Sequence, residues 1–147
     1  MRRRTPRRTA GQPVATTLRG ITLGTGALIA FERNDRRMWA RLKEALASGR
    51  RLTVPTVVVA ETWRGGARSA RLASLMDACV VEPLVDLVAR AAGESMARVK
   101  RATTIDAIVV ASAGTRRDVV LTSDPGDLEA LAEGVDGVDV VALDTLT

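Results

Sequence analysis

The sequence predicts an α/β fold, a three-layer α/β/α sandwich around a central, mainly parallel sheet. Short β-branched and aliphatic runs alternate with stretches of helical period, as where Leu52-Thr53-Val54 gives way to Val57 through Trp63. Regular hairpin signals between the strands are missing, so the strands are joined by helices and lie parallel. At 147 residues and 46% apolar content, the chain suits one domain with a substantial core.

Residues 1–19 hold Arg2, Arg3, Arg4, Arg7, Arg8 and Arg19 and no acid, leaving 16 basic against 17 acidic residues in the rest. Such an arm cannot pack a core and reads as disordered, with the folded domain spanning 20–147. Contact with nucleic acid or a membrane surface and a leader without function are both open for it. Ile21-Thr22-Leu23 is the first strand, and Gly24-Thr25-Gly26 turns into a helix over Ala27 to Phe31. Arg36 to Ala47 sets Met38, Trp39, Leu42, Ala45 and Leu46 at helical spacing, and Ser48-Gly49 stops it. Leu52 to Val54 is the second strand, ended by Pro55, and Thr56 caps a helix through Trp63 that breaks at Gly65-Gly66. A further helix covers Ala67 to Asp77. Cys79 to Val81 is the third strand, followed by the longest helix, Leu84 to Val99. Thr103 or Thr104 caps a helix from Ile105 to Ala113, apolar throughout except for Asp106. Val119 to Leu121 is the fourth strand. Asp124 then caps a helix with Pro125 in its first position, running to Ala132, and Val138 to Ala142 is the last strand.

Composition removes whole classes of chemistry. The chain has no histidine, which excludes Ser-His-Asp and Cys-His nucleophile systems and the commonest ligand of zinc. Its one cysteine, Cys79, excludes an intramolecular disulfide and fits a reducing compartment. Only Phe31, Trp39 and Trp63 are aromatic, too few for a base-stacking platform. Arginine supplies 20 of the 22 basic residues, a pattern that suits phosphate recognition and equally suits a compositional habit of the source genome. The apolar piece Leu23 to Phe31 lacks a cleavage-like stretch, and no segment has membrane-spanning length. Any catalysis therefore rests on carboxylates, lysine or arginine, hydroxyls, or a hard metal held by oxygen.

Three acids are candidates for such a site. Glu61 lies on the helix after the second strand, Asp106 in the first turn of a buried helix, and Asp124 past the end of the fourth strand. Each has a plainer explanation: Glu61 as a solvated helix residue, Asp106 as an answer to the helix dipole, Asp124 as an N-cap completed by Asp127. Asp106 fits its plainer explanation least, because Ile105, Ala107, Ile108, Val109 and Val110 surround it and a buried acid needs a partner. Acids brought together raise one another's pKa unless a cation neutralises them, and Mg²⁺ or Mn²⁺ is the natural counterion for an oxygen-only site that meets phosphates.

Ile21-Thr22-Leu23-Gly24-Thr25-Gly26-Ala27-Leu28-Ile29-Ala30 resembles the opening of a PIN domain, particularly of the VapC-type toxins of bacterial toxin–antitoxin pairs. Val54-Pro55 through Glu61 to Gly66, the Asp106-Ala107 helix, and Leu121-Thr122-Ser123-Asp124-Pro125 with Asp127-Leu128 are similar to the family's later blocks in order and spacing. The resemblance implies a PIN-like metal-dependent ribonuclease fold with usually four acids around Mg²⁺ or Mn²⁺, and a cognate antitoxin that occludes the site. It matches Glu61, Asp106 and Asp124 to three of those acids, as metal ligands, and Thr122 to a hydroxyl residue beside them. It implies an RNA substrate, a cytoplasmic location without membrane contact, and a homodimer. The family's first acid is absent: position 24 is glycine, and Thr103 is also not an acid. A lost ligand removes a charge and an oxygen donor, so weakened metal affinity and much reduced or absent nuclease activity are expected, with the fold retained. Arg64 and Arg68 are candidate phosphate binders. Two rival readings stand beside the ribonuclease: a catalytically weak protein of the same fold that binds antitoxin or RNA without cleavage, and an α/β module that binds a small anion.

Overall fold

The computed structural model describes residues 19–143. The basic stretch 1–18 lies outside them. Arg19, the last residue of the expected arm, makes three contacts: its Nε donates to the Arg117 carbonyl at 2.8 Å, Nη1 pairs with Asp139 at 2.6 Å, and Nη2 donates to the Gly137 carbonyl. Three partners from the opposite end of the sequence anchor the chain where the first strand begins.

Five strands form one sheet: β1 (Ile21–Leu23), β2 (Leu52–Pro55), β3 (Val80–Glu82), β4 (Val119–Thr122) and β5 (Asp139–Ala142). Their order across the sheet is β3-β2-β1-β4-β5, and every pair is parallel. The expected mainly parallel sheet is therefore parallel throughout the described residues. Ile21 is in register with Leu52 on one side and Val119 on the other, so β1 is sheathed on both edges. Its residues and those of β2 are all buried, which is why both read as continuous apolar runs.

Helices α1 (Thr25–Glu32), α2 (Arg36–Ala47), α3 (Thr56–Thr62), α4 (Ala70–Met76), α5 (Asp86–Arg98), α6 (Thr104–Arg116) and α7 (Leu128–Ala132) complete the chain. α1 packs on α2 and α4, while α6 packs on α5 and α7, giving the two outer layers of the sandwich. α3 touches both α1 and α6. The core between the layers includes Leu23, Leu28, Met38, Val54, Val109 and Val120, all at most 1% exposed. No helix of the described residues is long and apolar enough to cross a membrane.

Local chemistry moved several boundaries. The helix expected over Ala67 to Asp77 is divided into a 3₁₀ turn, Gly66–Ser69, and α4. Gly65 and Gly66 take positive φ, and Ser69 Oγ accepts from the backbone N–H of Arg64 and Gly65, so a turn wins over helix continuation. Asp124 is not an N-cap, and the helix starts at Leu128, not Pro125. Thr122 Oγ1 accepts the Asp124 N–H at 3.1 Å, and Gly126 at φ 38° carries the chain through a turn before the helix. Asp127 makes no capping bond; it pairs with Arg101 at 2.7 Å. Pro55 ends β2 and occupies the position before α3, so Thr56 is the first helical residue and not its cap.

An ionic network gathers around the buried Asp118. Asp118 accepts from Thr22 Oγ1 at 2.8 Å and from Arg116 Nε at 2.9 Å, and Arg116 also donates to Thr22 Oγ1 and Ser112 Oγ. Glu82 stands 3.7 Å from the same guanidinium, linking the end of α6 to β1 and β3. Breaking such a pair by removing one partner strands the other, at about 3–5 kcal/mol. Asp118→Ala should therefore lose about that much unfolding free energy, seen as a lower urea midpoint at unchanged slope. A loss under about 1 kcal/mol would show that Arg116 finds water instead.

Two glycines at the start of α1 differ in kind. A Cβ on Gly26 would stand 2.5 Å from Thr122 Oγ1 and 3.0 Å from Ser123 Oγ, so α1 meets the end of β4 only without a side chain. Gly24 has φ −84° and ψ 174°, open to any residue, and a Cβ there meets its nearest atoms at 3.8–3.9 Å, ordinary contact. Gly26→Ala should cost about 1–3 kcal/mol by overpacking, and Gly24→Ala should be neutral or add about 0.4–1 kcal/mol by restricting the unfolded chain. Thermal unfolding of the two variants checks the contrast, which equal losses would contradict.

Candidate functional site

The sheet order reverses at β1. The chain leaves β1 toward β2 and leaves β4 toward β5, and ligand crevices in open α/β sheets form at such a point, outside the carboxyl ends of the strands. A cleft of about 410 Å³ lies there. Glu61, Asp106, Asp124 and Thr122 all line it, each delivered by a different route.

Gly24 starts the first route. Its N–H donates to the Leu121 carbonyl at 3.1 Å, and its own carbonyl accepts from Ala27 and Leu28 to open α1. The next residue, Thr25, donates through Oγ1 to Glu61 Oε1 at 2.6 Å. Glu61 comes from the last turn of α3 and is exposed, so this hydroxyl fixes a side chain that packing alone would leave free. Asp106 sits in the first turn of α6, where Thr103 is the N-cap and Thr103 Oγ1 accepts the Asp106 N–H at 3.1 Å. Of the two threonines offered by the sequence, Thr103 is the cap, and it lines the cleft as well. Thr122, 1% exposed at the end of β4, holds the Asp124 turn, and Ser123 Oγ donates to the Gly26 carbonyl at 3.0 Å.

Asp106 records the electrostatic character of the cleft. Partial burial pushes its carboxyl above the usual range, the charges of Glu61, Asp127 and Asp124 push it further, and a hydrogen bond with Thr103 opposes them. Asp106 thus feels Glu61 and Asp124 across the cleft, and Asp127 as well. They do not close on one point: among the described residues no group of three or more Asp, Glu, His or Cys is spaced to hold a metal ion. Like charges repel, and Glu61 is turned to Thr25, which accounts for the spread. The donor set fits a hard divalent cation, since carboxylates and hydroxyls supply only oxygen.

Other residues of the cleft were not singled out by sequence reasoning. Thr25, Ser123 and Arg33 line it, and Asp127 acts on Asp106 from beside it. The proposed phosphate binders Arg64 and Arg68 do not line it. Arg64 donates to the Trp63 carbonyl, and Arg68 faces Glu32 at 3.9 Å. A helical-wheel reading of α1 would have found Arg33, since Thr25, Ile29 and Arg33 repeat every fourth residue from the β1 end.

Residues 21–134 match the family model of the PIN domain. No curated protein matches the sequence. Among solved structures, VapBC2 from Rickettsia felis, bound to a DNA fragment from its promoter, is similar at a TM-score of 0.66 and 13% identity, covering 83% of this chain and 97% of that one. A toxin–antitoxin complex from Klebsiella pneumoniae is similar at 0.65 and 19%, covering 84% and 98%. VapBC-5 from Mycobacterium tuberculosis, of the VapBC family of toxin–antitoxin systems, is similar at 0.54 and 26%, covering 84% and 97%. With a family model spanning most of its length, and a fold shared with VapBC toxin–antitoxin structures, this chain belongs to the PIN domain family.

Proposed function

We propose that the chain is a toxin-type endoribonuclease that hydrolyses RNA phosphodiesters with Mg²⁺ or Mn²⁺, its activity reduced because glycine stands at position 24. The supporting observation is that Glu61, Asp106 and Asp124, from three separate elements, line one cleft together with Thr122. Those three acids would hold the ion. When bound, such an ion stabilises developing charge on the phosphoryl group and makes hydroxide available at neutral pH. Thr25 holds the Glu61 carboxylate on the cleft wall, and Thr122 fixes the backbone that presents Asp124. Asp106 contributes the charge most in need of a counterion, since burial first and its acidic neighbours second already disfavour its ionised form. The cognate partner is an antitoxin, as in the toxin–antitoxin complexes with which the fold is shared, and the setting is cytoplasmic.

A second reading draws on the same observations. Without an acid at position 24, and with the remaining acids spread along the cleft, the chain would bind antitoxin or RNA and cut slowly or not at all.

Cleavage of single-stranded RNA in Mn²⁺ by the wild-type chain and by Gly24→Asp separates the two readings. The added carboxylate should raise the rate by about 10–100-fold, the range over which metal-site residues act. Equal strong activity in both proteins contradicts the impairment, and inactivity of both, with no Mn²⁺ binding by calorimetry, ends the nuclease reading.

Asp106 also gives the site a pH dependence. Protons compete with metal for a carboxylate, and this one holds its proton to a higher pH than usual. Mn²⁺ affinity should therefore begin to fall, on acidification, above the pH set by an ordinary aspartate of about 3.9. The stability sign is the reverse of a salt-bridged acid: the favourable contribution is present below the unfolded pKa and is lost as pH rises through the folded one. Metal-free Asp106→Asn should accordingly melt about 1–3 °C higher at neutral pH while losing Mn²⁺-dependent cleavage. A lower melting temperature would show that the helix dipole, not the neighbouring acids, dominates at this site.

A further inference from the structure

Arg33 is the one basic residue among the described residues that line the cleft. Thr25, Ile29 and Arg33 fall at every fourth position along α1 and its C-terminal end, so a single face of that helix forms one wall. The Thr25 end of the wall meets Glu61, and the Arg33 end lies about 12 Å farther along, at about 1.5 Å per residue. Arg33 terminates the helix, its N–H closing on the Ile29 carbonyl at 3.0 Å, which sets where the side chain departs. Its guanidinium makes no hydrogen bond or ion pair among the described residues. The adjoining acid, Glu32, faces Arg68, and the Glu32 carbonyl accepts from Arg71.

A polyanion entering a cleft walled by three carboxylates is repelled along most of its path. One unpaired guanidinium at the far end changes that balance, because arginine meets phosphate with two parallel hydrogen bonds. No aromatic side chain of the described residues lines the cleft, so bases gain no stacking there and the backbone must supply the affinity.

We propose that Arg33 anchors a phosphate neighbouring the scissile one, so that single-stranded RNA lies along α1 from the guanidinium to the acids. This rests on the ribonuclease reading and assigns a substrate-binding residue to it. The probe is a fluorescently labelled oligouridylate, with anisotropy measured in EDTA so that no cleavage intervenes. Arg33→Ala should weaken binding by about 5–10-fold and reduce the slope of log affinity against log salt by about 0.7, one phosphate contact on a single strand. Arg33→Lys should restore the slope and only part of the affinity, since it keeps the charge without the fork. Arg64→Ala, an exposed arginine outside the cleft, should leave both nearly unchanged. Wild-type binding by Arg33→Ala, or an equal loss in Arg64→Ala, overturns the anchor, as does failure of the wild-type chain to bind the probe. Mn²⁺ calorimetry judges the acid cleft separately, so a chain that binds Mn²⁺ but shows no Arg33 effect loses the anchor and keeps the nuclease reading.

Discussion

Everything at the cleft depends on the placement of β1. This strand lies at the middle of an all-parallel sheet, hydrogen-bonded to β2 on one edge and β4 on the other. Parallel pairing puts the carboxyl ends of all three strands on the same edge, so the segments that leave those ends meet one another. Thr25 comes just after β1, Glu61 comes after β2 and two turns of α3, and Thr122 to Asp124 close β4. Asp106 arrives differently, at the N-terminus of α6, whose partial positive charge favours a carboxylate in its first turn. Burial first, and then the neighbouring acids, leave the Asp106 carboxyl above its usual range, with the Thr103 hydrogen bond opposing them.

The same residue type takes two opposite settings within this fold. Asp118 is buried and paired, its Oδ2 accepting from Arg116 and from Thr22 in a network that ties α6 to the central strand. Asp106 is half-buried among other acids, with no cation paired to it in any described contact. The first arrangement holds elements together: a Cβ on Gly20 would stand 2.5 Å from Asp118 Oδ1, so even the residue before β1 is fitted to that acid. The second does not serve stability, since several like charges in one cleft oppose folding unless a ligand neutralises them. Local inconsistency of that kind is expected at functional sites, where stability drawn from the rest of the core offsets it.

Most of the fold was legible because its signals are local. Strands β1 and β2 are buried on both faces and so appear as unbroken apolar runs, and α2 announces itself through Met38, Leu42 and Ala45 on one buried face with Ser48-Gly49 at its end. The misread boundaries are places where a single hydroxyl reaches across a turn. Ser69 Oγ captures two backbone N–H groups before α4, and Thr122 Oγ1 captures that of Asp124, so proline at position 125 does not begin a helix. At the cleft, Asp106 was legible as an acid in apolar company, and Glu61 and Asp124 from their places after strand ends and from the resemblance. Arg33 was not, because an arginine in Glu-Arg-Asn-Asp-Arg-Arg looks like any solvated charge until the face of α1 toward Thr25 is known. Arg64 and Arg68 were nearer Glu61 in sequence, but the turn held by Ser69 and the contact with Glu32 keep them off the wall.

The glycine at position 24 is therefore a question of chemistry and not of folding. Gly24 joins β1 to β4 through its N–H and starts α1 through its carbonyl, and neither bond involves a side chain. Its backbone angles suit any residue, and the space beside its Cα admits a Cβ at ordinary contact distance. Two residues later the requirement is real, since Gly26 lets α1 lie against Thr122 and Ser123. A fold that needed small residues throughout this turn would constrain both positions, and this one constrains only the second. For the proposed ribonuclease, a carboxylate at position 24 would add to the repulsion felt by Asp106 and by an approaching phosphate, and would offer one more oxygen to a cation. Under that proposal the two effects oppose each other, glycine favouring entry of a polyanion and disfavouring retention of a cation.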